Sequence, residues 1–409
     1  MKKLNVLLSA YACVPGRGSE PGVGWNFALT TSKYHNVWVV TQADKRPFIE
    51  KELQSGSYDN LHFIYYDLPF WKIKLLPNGI QVYYYLWHVF AARHVKKWCS
   101  EYDIDVVHHI TMVRYWSPCM MRSSPVPFVW GPVGGGESTP PGLIGSMPWK
   151  ERLKEKVRKL VQIAAHLDPF VRKTVRAADL CLVTTAQSRE RVISIRKREC
   201  MEYSESGLLK EEVEALSTAD AAPISTLRFI SMGRLLSWKG FHLGLHAFAE
   251  AAIPNSEYWV CGDGPRRAYL EGLAKSLGIA DRVRFFGRLQ RSEALERLNE
   301  SHVLVHPSLH DSGGWVCLEA MASRRPVICL DWGGPGVQVT DEAGMKVVPG
   351  SESETVEGIK EAMLRFGKDR ALVGCMGEAS LEHIRKNYIW DSKVIQYTDR
   401  YMELLNNGK

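Results

Sequence analysis

The strongest constraint on this chain is an alternation in its second half. Short apolar runs of strand composition trade places with amphipathic helical stretches. "LRFISMG" precedes "WKGFHLGLHAFAEAA", "EYWVCGDGP" precedes "RRAYLEGLAKSLG", and "RVRFFG" precedes "RSEALERLNES". "HVLVHPS" then leads into "GWVCLEAMASR", and "PVICLD" and "ESETVEGIKEAMLRF" follow. Apolar runs without polar alternation are strands buried on both faces, and helices on both sides of a parallel sheet bury them. The pattern predicts a doubly wound α/β domain, with ligands at the carboxyl ends of its strands.

The first half repeats the scheme less cleanly. "LNVLLSA", "VWVVTQ", "LHFIYYD", "DIDVVHHI", "VPFVWGP" and "DLCLVTT" read as strands, with "GWNFALTTSKY" as a helix. The opening "MKKLNVLLSAYACVPGRGSE" has the charge and apolar length of a secretory signal. A Gly-rich turn after "LNVLLSA" favours a buried first strand instead. The expected division is a domain over 1–205, a Ser- and Ala-rich linker over 206–226, and a domain over 227–387. The end of the chain, about 388–409, carries a helical stripe of Val394, Ile395, Thr398, Tyr401 and Leu405 that pattern alone assigns to neither domain.

Length and composition agree. The chain's 409 residues exceed one compact core, and 45% apolar with 24% charged residues describes an ordinary globular protein. Apolar runs are too short and too charged for a membrane span. Nine cysteines at irregular spacing, without a CxxC pair, point to a reducing compartment and away from a zinc ribbon. The net charge of +7 is uneven: Lys150 to Arg176 holds nine Lys/Arg against three Asp/Glu. Leu153, Val157, Leu160, Ala164 and Leu167 recur there at helical spacing. Two readings follow, a helix packing its stripe on its own domain or a basic amphipathic helix on an anionic membrane. The aromatic stretch "LPFWKIKLLPNGIQVYYYLWHVF" reads as core, with a lipid-facing surface as the alternative.

Three strings carry the chemistry. Gly233-Arg234-Leu235 closes a strand, and Lys239-Gly240 follows at a helix start where Ser237 is available as N-cap. Two cations at a helix N-terminus suit a diphosphate whose charge grows as its bond breaks. Gly262-Asp263-Gly264-Pro265 is a tight turn for which a structural reading is sufficient. In "HDSGGWVCLE", Asp311 precedes a helix and Glu319 lies inside it. Gly313 and Gly314 between them let a ligand approach backbone N–H groups. A carboxylate enclosed at 319 needs partners, which a pair of ribose hydroxyls would supply.

In this order, GRL-x3-KG, the GDGP turn, "FFGRL" and "PSLHDSGGWVCLEAMASRRPV" resemble the family-four retaining glycosyltransferases. "GRGSEPGVGW" and "DIDVVHHI" resemble that family's first loop and its DVVH strand, and "YIWDSKVIQYTDRYMELL" its closing helix. The resemblance implies the GT-B fold, two Rossmann-like domains facing a central cleft, with the last helix returning to the acceptor-side first domain. It implies that Arg234 and Lys239 hold the donor diphosphate, with Gly233 in the same loop, and that Glu319 holds the ribose. It places the backbone from Ser312 through Gly313, Gly314, Trp315 and Val316 at the donor sugar and phosphates. Gly287, Arg288 and Leu289 would edge the base, and Gly18 would approach from the first domain.

Departures from the family pattern are specific. Its E-x7-E is D-x7-E here, so Asp311 is one methylene shorter. Pro335 to Gln338 has no carboxylate where many relatives have one. Where the family often places a histidine near the reacting sugar, this chain has "GPVGGGE". Glu137 and His109 are the candidates for that space, beside Gly135, against the reading of His109 as a satisfied strand-end histidine.

The implied reaction is transfer of a sugar from a nucleotide-diphosphate donor to a hydroxyl, with retained configuration and Asp311, Arg234 and Lys239 as catalytic candidates. No metal site is read from the sequence, and no cofactor is expected beyond the nucleotide sugar itself. The expected acceptor is a saccharide or lipid-linked saccharide in bacterial-type surface polysaccharide assembly. The expected place is the cytoplasm, with peripheral contact at the inner face of the plasma membrane as a candidate and no nucleic-acid partner. The competing readings are a nucleotide-sugar epimerase or phosphorylase of the same plan and a degenerate nucleotide-sugar-binding subunit. A dehydrogenase is disfavoured because "GRGSEPG" lacks GxGxxG spacing.

Overall fold

The computed structural model describes residues 2–218 and 225–407. It divides into two compact units, one of Met1–Gly136, Arg158–Gly207 and Trp390–Lys409, the other of Glu137–Val157 and Leu208–Ile389. Each unit is a parallel sheet covered by helices.

Among the described residues, the first sheet has the order β3-β2-β1-β4-β5-β6-β7. Its strands are β1 (Asn5–Ser9), β2 (Asn36–Thr41), β3 (Leu61–Tyr65), β4 (Val106–His109), β5 (Phe128–Val133), β6 (Leu180–Val183) and β7 (Met201–Glu202). Register is set by pairs such as Leu7 with Trp38 and Leu7 with Val107. The aromatic stretch over 68–90 divides between core and surface. Tyr83, Tyr84 and Trp87 are fully enclosed, whereas Trp71, Leu75, Leu76 and Val82 are exposed. The closing helix Trp390–Asn407 belongs to this unit. It inserts Val394, Thr398 and Tyr401 into the core, while Ile395 stays exposed.

The second sheet has the order β10-β9-β8-β11-β12-β13. Its strands are β8 (Leu227–Met232), β9 (Ser256–Cys261), β10 (Val283–Gly287), β11 (Val303–His306), β12 (Val327–Leu330) and β13 (Gly344–Val347). Phe229, Val305 and Ile328 are enclosed by helices Phe241–Ala251 and Glu352–Lys368 on one face. Ile230, Leu304 and Cys329 meet Trp315–Ala322 and Ala371–Asn387 on the other. Consecutive strand residues point to opposite faces, so an unbroken apolar run serves both layers.

The structure corrects the expected division in two places. Residues 137–157 belong to the second unit, not the first. The segment expected as linker, 206–226, contains the helix Lys210–Ser217. There Glu212 accepts a hydrogen bond from the Leu209 amide at 2.9 Å, and Val213 and Leu216 are buried in the second unit's core. Its Ser and Ala content conceals a capped helix with one apolar face. The part of that expectation falling on 219–224 lies outside the described residues, as do positions 408–409 of the expected closing helix. Strand β13 and the two-residue β7 were not expected.

Candidate functional site

In the second sheet the strand order reverses between β8 and β11, and such a reversal leaves a crevice at the carboxyl ends of the two strands. The loops leaving these strands hold most of the expected site residues. They are tied together by the Leu309 amide, which donates to the Trp238 carbonyl at 2.8 Å. After β8, Gly233 and Arg234 are exposed, and a 3-10 turn over Ser237–Lys239 precedes the helix Phe241–Ala251. That helix has Gly240 as its N-cap, not Ser237, whose carbonyl instead accepts from the Gly240 amide at 3.2 Å.

Asp311 is the electrostatic centre of the loop after β11. Its Oδ2 is ion-paired with Lys239 Nζ and lies 3.3 Å from His306 Nε2. Burial alone would push the carboxyl up. The Lys239 charge and the His306 hydrogen bond outweigh it and hold Asp311 well below the usual carboxylate range. His306 moves down, chiefly through its own burial. Lys239 Nζ also lies 4.6 Å from the centroid of Trp238, whose ring stacks on His310 at 4.7 Å.

A cavity of about 840 Å³ opens at the same end of the sheet. Arg234, Gly262, Gly264, Arg288, Val316 and Glu319 are among its lining residues. The structure therefore brings together Gly233, Arg234, Arg288, Leu289, Val316 and Glu319 around one space. Gly287, Lys239, Asp311 and the Ser312–Trp315 backbone are not part of this lining. The sequence reading missed the GDGP turn, which it treated as structural only. Gly262, Asp263 and Gly264 line the cavity with Cys261 before them. The available signal was position, since the turn sits at a strand's carboxyl end.

Two glycines shape this region. Gly262 has φ +146°, and a Cβ there would stand 1.9 Å from the Gly233 carbonyl oxygen. The β8 and β9 turns therefore touch through bare backbone. Gly314 is the left-handed N-cap of helix Trp315–Ala322, and a Cβ there would meet Gln338 Oε1 at 2.5 Å. Gln338 in turn donates to the Gly313 carbonyl, and the Gly334 amide donates to the Asp311 carbonyl at 2.6 Å. The carboxylate-free segment after β12 is thus the clamp that shapes the Asp311–Gly314 loop. The Trp315 indole N–H is buried without an acceptor among the described residues.

Glu319 has a protein partner that sequence did not supply. Its Oε1 lies 2.9 Å from Arg291 Nη2, and Arg291 Nη1 lies 3.0 Å from Glu212 Oε1. Burial raises the Glu319 carboxyl, and Arg291 opposes that rise. The helix found within the expected linker therefore helps to position the carboxylate at the cavity wall.

The acceptor-side candidates lie in different settings. His109 ends β4 and is enclosed, with Nδ1 2.9 Å from Ser9 Oγ and Nε2 3.3 Å from Tyr84 OH. Burial pushes its imidazole down to about 3. This is the satisfied strand-end histidine. Gly135 belongs to the first unit, where its carbonyl accepts from Gln162 Nε2 at 2.9 Å. Glu137 is buried and belongs to the second. Gly18 is the exposed N-cap of helix Ser19–Ser32, and nothing lies within 4 Å of a Cβ placed there.

Among the described residues, no three His, Cys, Asp or Glu side chains are grouped to hold a metal ion. No helix among them is long and apolar enough to cross a membrane.

Comparison with known proteins finds a family likeness for part of the chain and a fold likeness for nearly all of it. Residues 220–372 match the model described as Glycosyl transferases group 1. The lipopolysaccharide core biosynthesis glycosyltransferase LpsD of Rhizobium meliloti is 31% identical over 186 residues, 46% of this chain and 51% of that protein. The chain thus spans about half the length of the curated relatives it matches. Two solved structures share the fold at low identity. The apo lipopolysaccharide outer core galactosyltransferase WaaB has a TM-score of 0.63 at 13% identity, covering 96% of this chain and 98% of that one. Anabaena HepE in complex with UDP and glucose has a TM-score of 0.58 at 15% identity, covering 98% and 100%. The two parallel sheets are those of the GT-B fold, and residues 220–372 are similar to the glycosyl transferases group 1 family.

Proposed function

We propose that the chain is a retaining glycosyltransferase that moves a sugar from a nucleoside-diphosphate donor to a hydroxyl of a saccharide acceptor. The observation that carries this reading is the cavity at the β8 end, where Arg234, bare glycine backbone and the Glu319 carboxylate face one space of nucleotide size. Arg234 supplies fixed positive charge for a diphosphate. Glu319, oriented by Arg291, offers acceptor oxygens to a pair of ribose hydroxyls, and Arg288 and Leu289 edge the base.

In the reaction the bond between the anomeric carbon and the leaving phosphate oxygen breaks, and its electron pair stays on that oxygen. Arg234 stabilises the growing charge, in a site already aimed at it. The acceptor hydroxyl attacks the anomeric carbon from the same face and passes its proton to the leaving oxygen. Asp311, kept ionised by Lys239 and His306, orients sugar hydroxyls or faces the positive charge that develops on the ring. Side-chain cations, not a divalent ion, neutralise the leaving group in this account, so activity should survive chelation by EDTA.

The name of the Rhizobium meliloti relative, a lipopolysaccharide core biosynthesis glycosyltransferase, supports an acceptor in bacterial surface polysaccharide assembly; a lipid-linked saccharide as that acceptor would put the enzyme on the cytoplasmic face of the membrane. The test is a panel of nucleotide sugars assayed against a lipid-diphosphate sugar, with the product anomer read by NMR. Transfer with retention is expected. Absence of both transfer and donor hydrolysis would sink the reading. Conversion of the donor without acceptor would make the chain an epimerase, and binding without turnover would make it a partner subunit.

A further inference from the structure

The helix Trp149–Ala164 is built the wrong way round for a water-soluble surface. Its apolar stripe was open to being packed against its own domain. Instead, Leu153, Val157, Leu160 and Leu167 just beyond it are 53%, 52%, 66% and 78% exposed. The enclosed positions are polar. Glu155 lies 3.3 Å from His310 Nε2, and Gln162 donates to the Gly135 carbonyl. At 3.6 residues per turn the stripe is flanked by Lys150 and Lys154 on one side and by Lys156 and Lys159 on the other, all exposed. An uncovered apolar stripe with lysines along both borders matches the cross-section of a bilayer surface, with acyl chains below and anionic headgroups beside.

Two neighbouring features extend the same chemistry. The helix Pro169–Ala177, reached through Leu167, carries a surface pocket of about 610 Å³ lined by Leu167, Pro169, Arg172, Lys173, Arg176 and Ala177. Three cations and no carboxylate border it, next to an exposed leucine, which suits a phosphate with an acyl chain attached. Asp168, the N-cap of that helix, accepts a hydrogen bond from Tyr85 OH at 2.6 Å. Tyr85 lies one turn beyond Val82 on helix Gly79–Ala91, which follows the exposed Trp71, Leu75 and Leu76 and the exposed Lys72.

We propose that the surface of the first unit formed by the end of helix Trp149–Ala164, from Leu160 onward, and by helix Pro169–Ala177 docks the protein on an anionic lipid bilayer. The exposed Leu160 and Leu167 enter the headgroup boundary, and Arg172, Lys173 and Arg176 take a lipid phosphate. The charge selects this occupant. Lys150 to Arg176 carries nine Lys/Arg against three Asp/Glu, so a second copy facing the same surface would meet like charge. Docking deepens the acceptor class proposed above and rests on it for its purpose, because it would hold the enzyme where lipid-linked saccharides are displayed.

The experiment is flotation of the full chain with vesicles of phosphatidylcholine alone and of phosphatidylcholine mixed with phosphatidylglycerol. The expected result is binding to the mixed vesicles at least about tenfold stronger than to the neutral ones, weakening as salt is added. The double variant Leu160→Glu with Leu167→Glu alters exposed positions only, so its thermal unfolding should match the parent while flotation falls at least about tenfold. Arg172→Ala with Lys173→Ala and Arg176→Ala should reduce flotation on mixed vesicles alone. The proposal is overturned if the parent does not float with anionic vesicles, or if the leucine variant floats as well as the parent. It is also overturned if sedimentation shows a parent dimer that the leucine variant loses. Flotation needs no donor, so failure to dock is distinguishable from failure of the transferase reading, which nucleotide binding and turnover report.

Discussion

At the order reversal of the second sheet, the β8 and β11 loops leave Arg234 exposed beside a cavity and hold Asp311 charged. At the equivalent reversal of the first sheet, the end of β4 is closed. His108 Nε2 donates to the Gly131 carbonyl at 2.7 Å and its Nδ1 lies 2.6 Å from Tyr401 OH, and His109 is held by Ser9 and Tyr84. Tyr11 packs edge-on against Tyr84 at 4.9 Å and Trp87 at 5.2 Å. The topology is shared, and among the described residues the second sheet has a cavity at the end of its central strands, lined by Arg234 and Glu319. Sheet order places a crevice, and the loop residues decide whether it becomes a charged site or a packed core.

Arg234→Ala tests that contrast with the largest expected effect. It should lower kcat by about 10²–10³-fold while leaving unfolding unchanged, because the side chain is exposed and its proposed work is on the leaving diphosphate. Steady-state rates beside thermal melts check it. Equal rates would dissolve the distinction between the two sheet ends. Lys239→Ala comes next and should act on stability as well as rate. It strands the partly buried Asp311 carboxylate, at a cost of about 1–3 kcal/mol. A double-mutant cycle in urea should show that Lys239→Met with Asp311→Leu costs less than Lys239→Met alone.

The two units should also part company in acid. His35 and His108 are pushed down to about 4 and His109 to about 3, all by burial, so the native first unit binds fewer protons than its unfolded chain. Its stability is therefore full above pH about 6.5 and declines as pH falls through the window from there towards 4. His242 of the second unit, at about 4, contributes in the same direction. The depressed Asp311 keeps its contribution throughout that window and loses it only below the ordinary carboxylate range. Hydrogen exchange at pH 7 and pH 5, read by mass spectrometry, should show β1 and β4 losing more protection than β8 and β11.

The smallest effects come from glycines. Gly262→Ala puts a Cβ against the Gly233 carbonyl at positive φ and should destabilise by about 1–3 kcal/mol. Gly18→Ala meets no neighbour and should change stability by no more than about 0.5 kcal/mol. A loss of turnover in Gly18→Ala at unchanged stability would assign Gly18 to the donor's approach.

Much of this was legible in the sequence. The strands of the second sheet stand out because a doubly covered parallel sheet needs unbroken apolar runs, and "HVLVHPS" and "PVICLD" have no other good use. β13 escaped because "GMKVV" is short and follows a turn, and β7 because two exposed residues leave no pattern. At the site, Arg234 and Glu319 were singled out from two separate strand-to-helix motifs, and both line the cavity. Arg291 and Glu212 escaped because the Arg291–Glu319 contact crosses 28 positions of chain and the Glu212–Arg291 contact crosses 79, which no local motif encodes. The basic helix was identified correctly by its period. Periodicity gives an apolar stripe but not what covers it, so packing on its own domain was the preferred reading of the stripe until the structure set Leu160 and Leu167 in solvent.

The central claim is that the second unit holds a nucleoside diphosphate at the end of β8, and calorimetry tests it most directly. Uridine, guanosine, adenosine and thymidine diphosphates would be titrated into the parent and into Arg234→Ala. The account predicts single-site binding of at least one of them to the parent and an affinity at least about tenfold lower in the variant. Binding of none, or equal binding to both proteins, would contradict it.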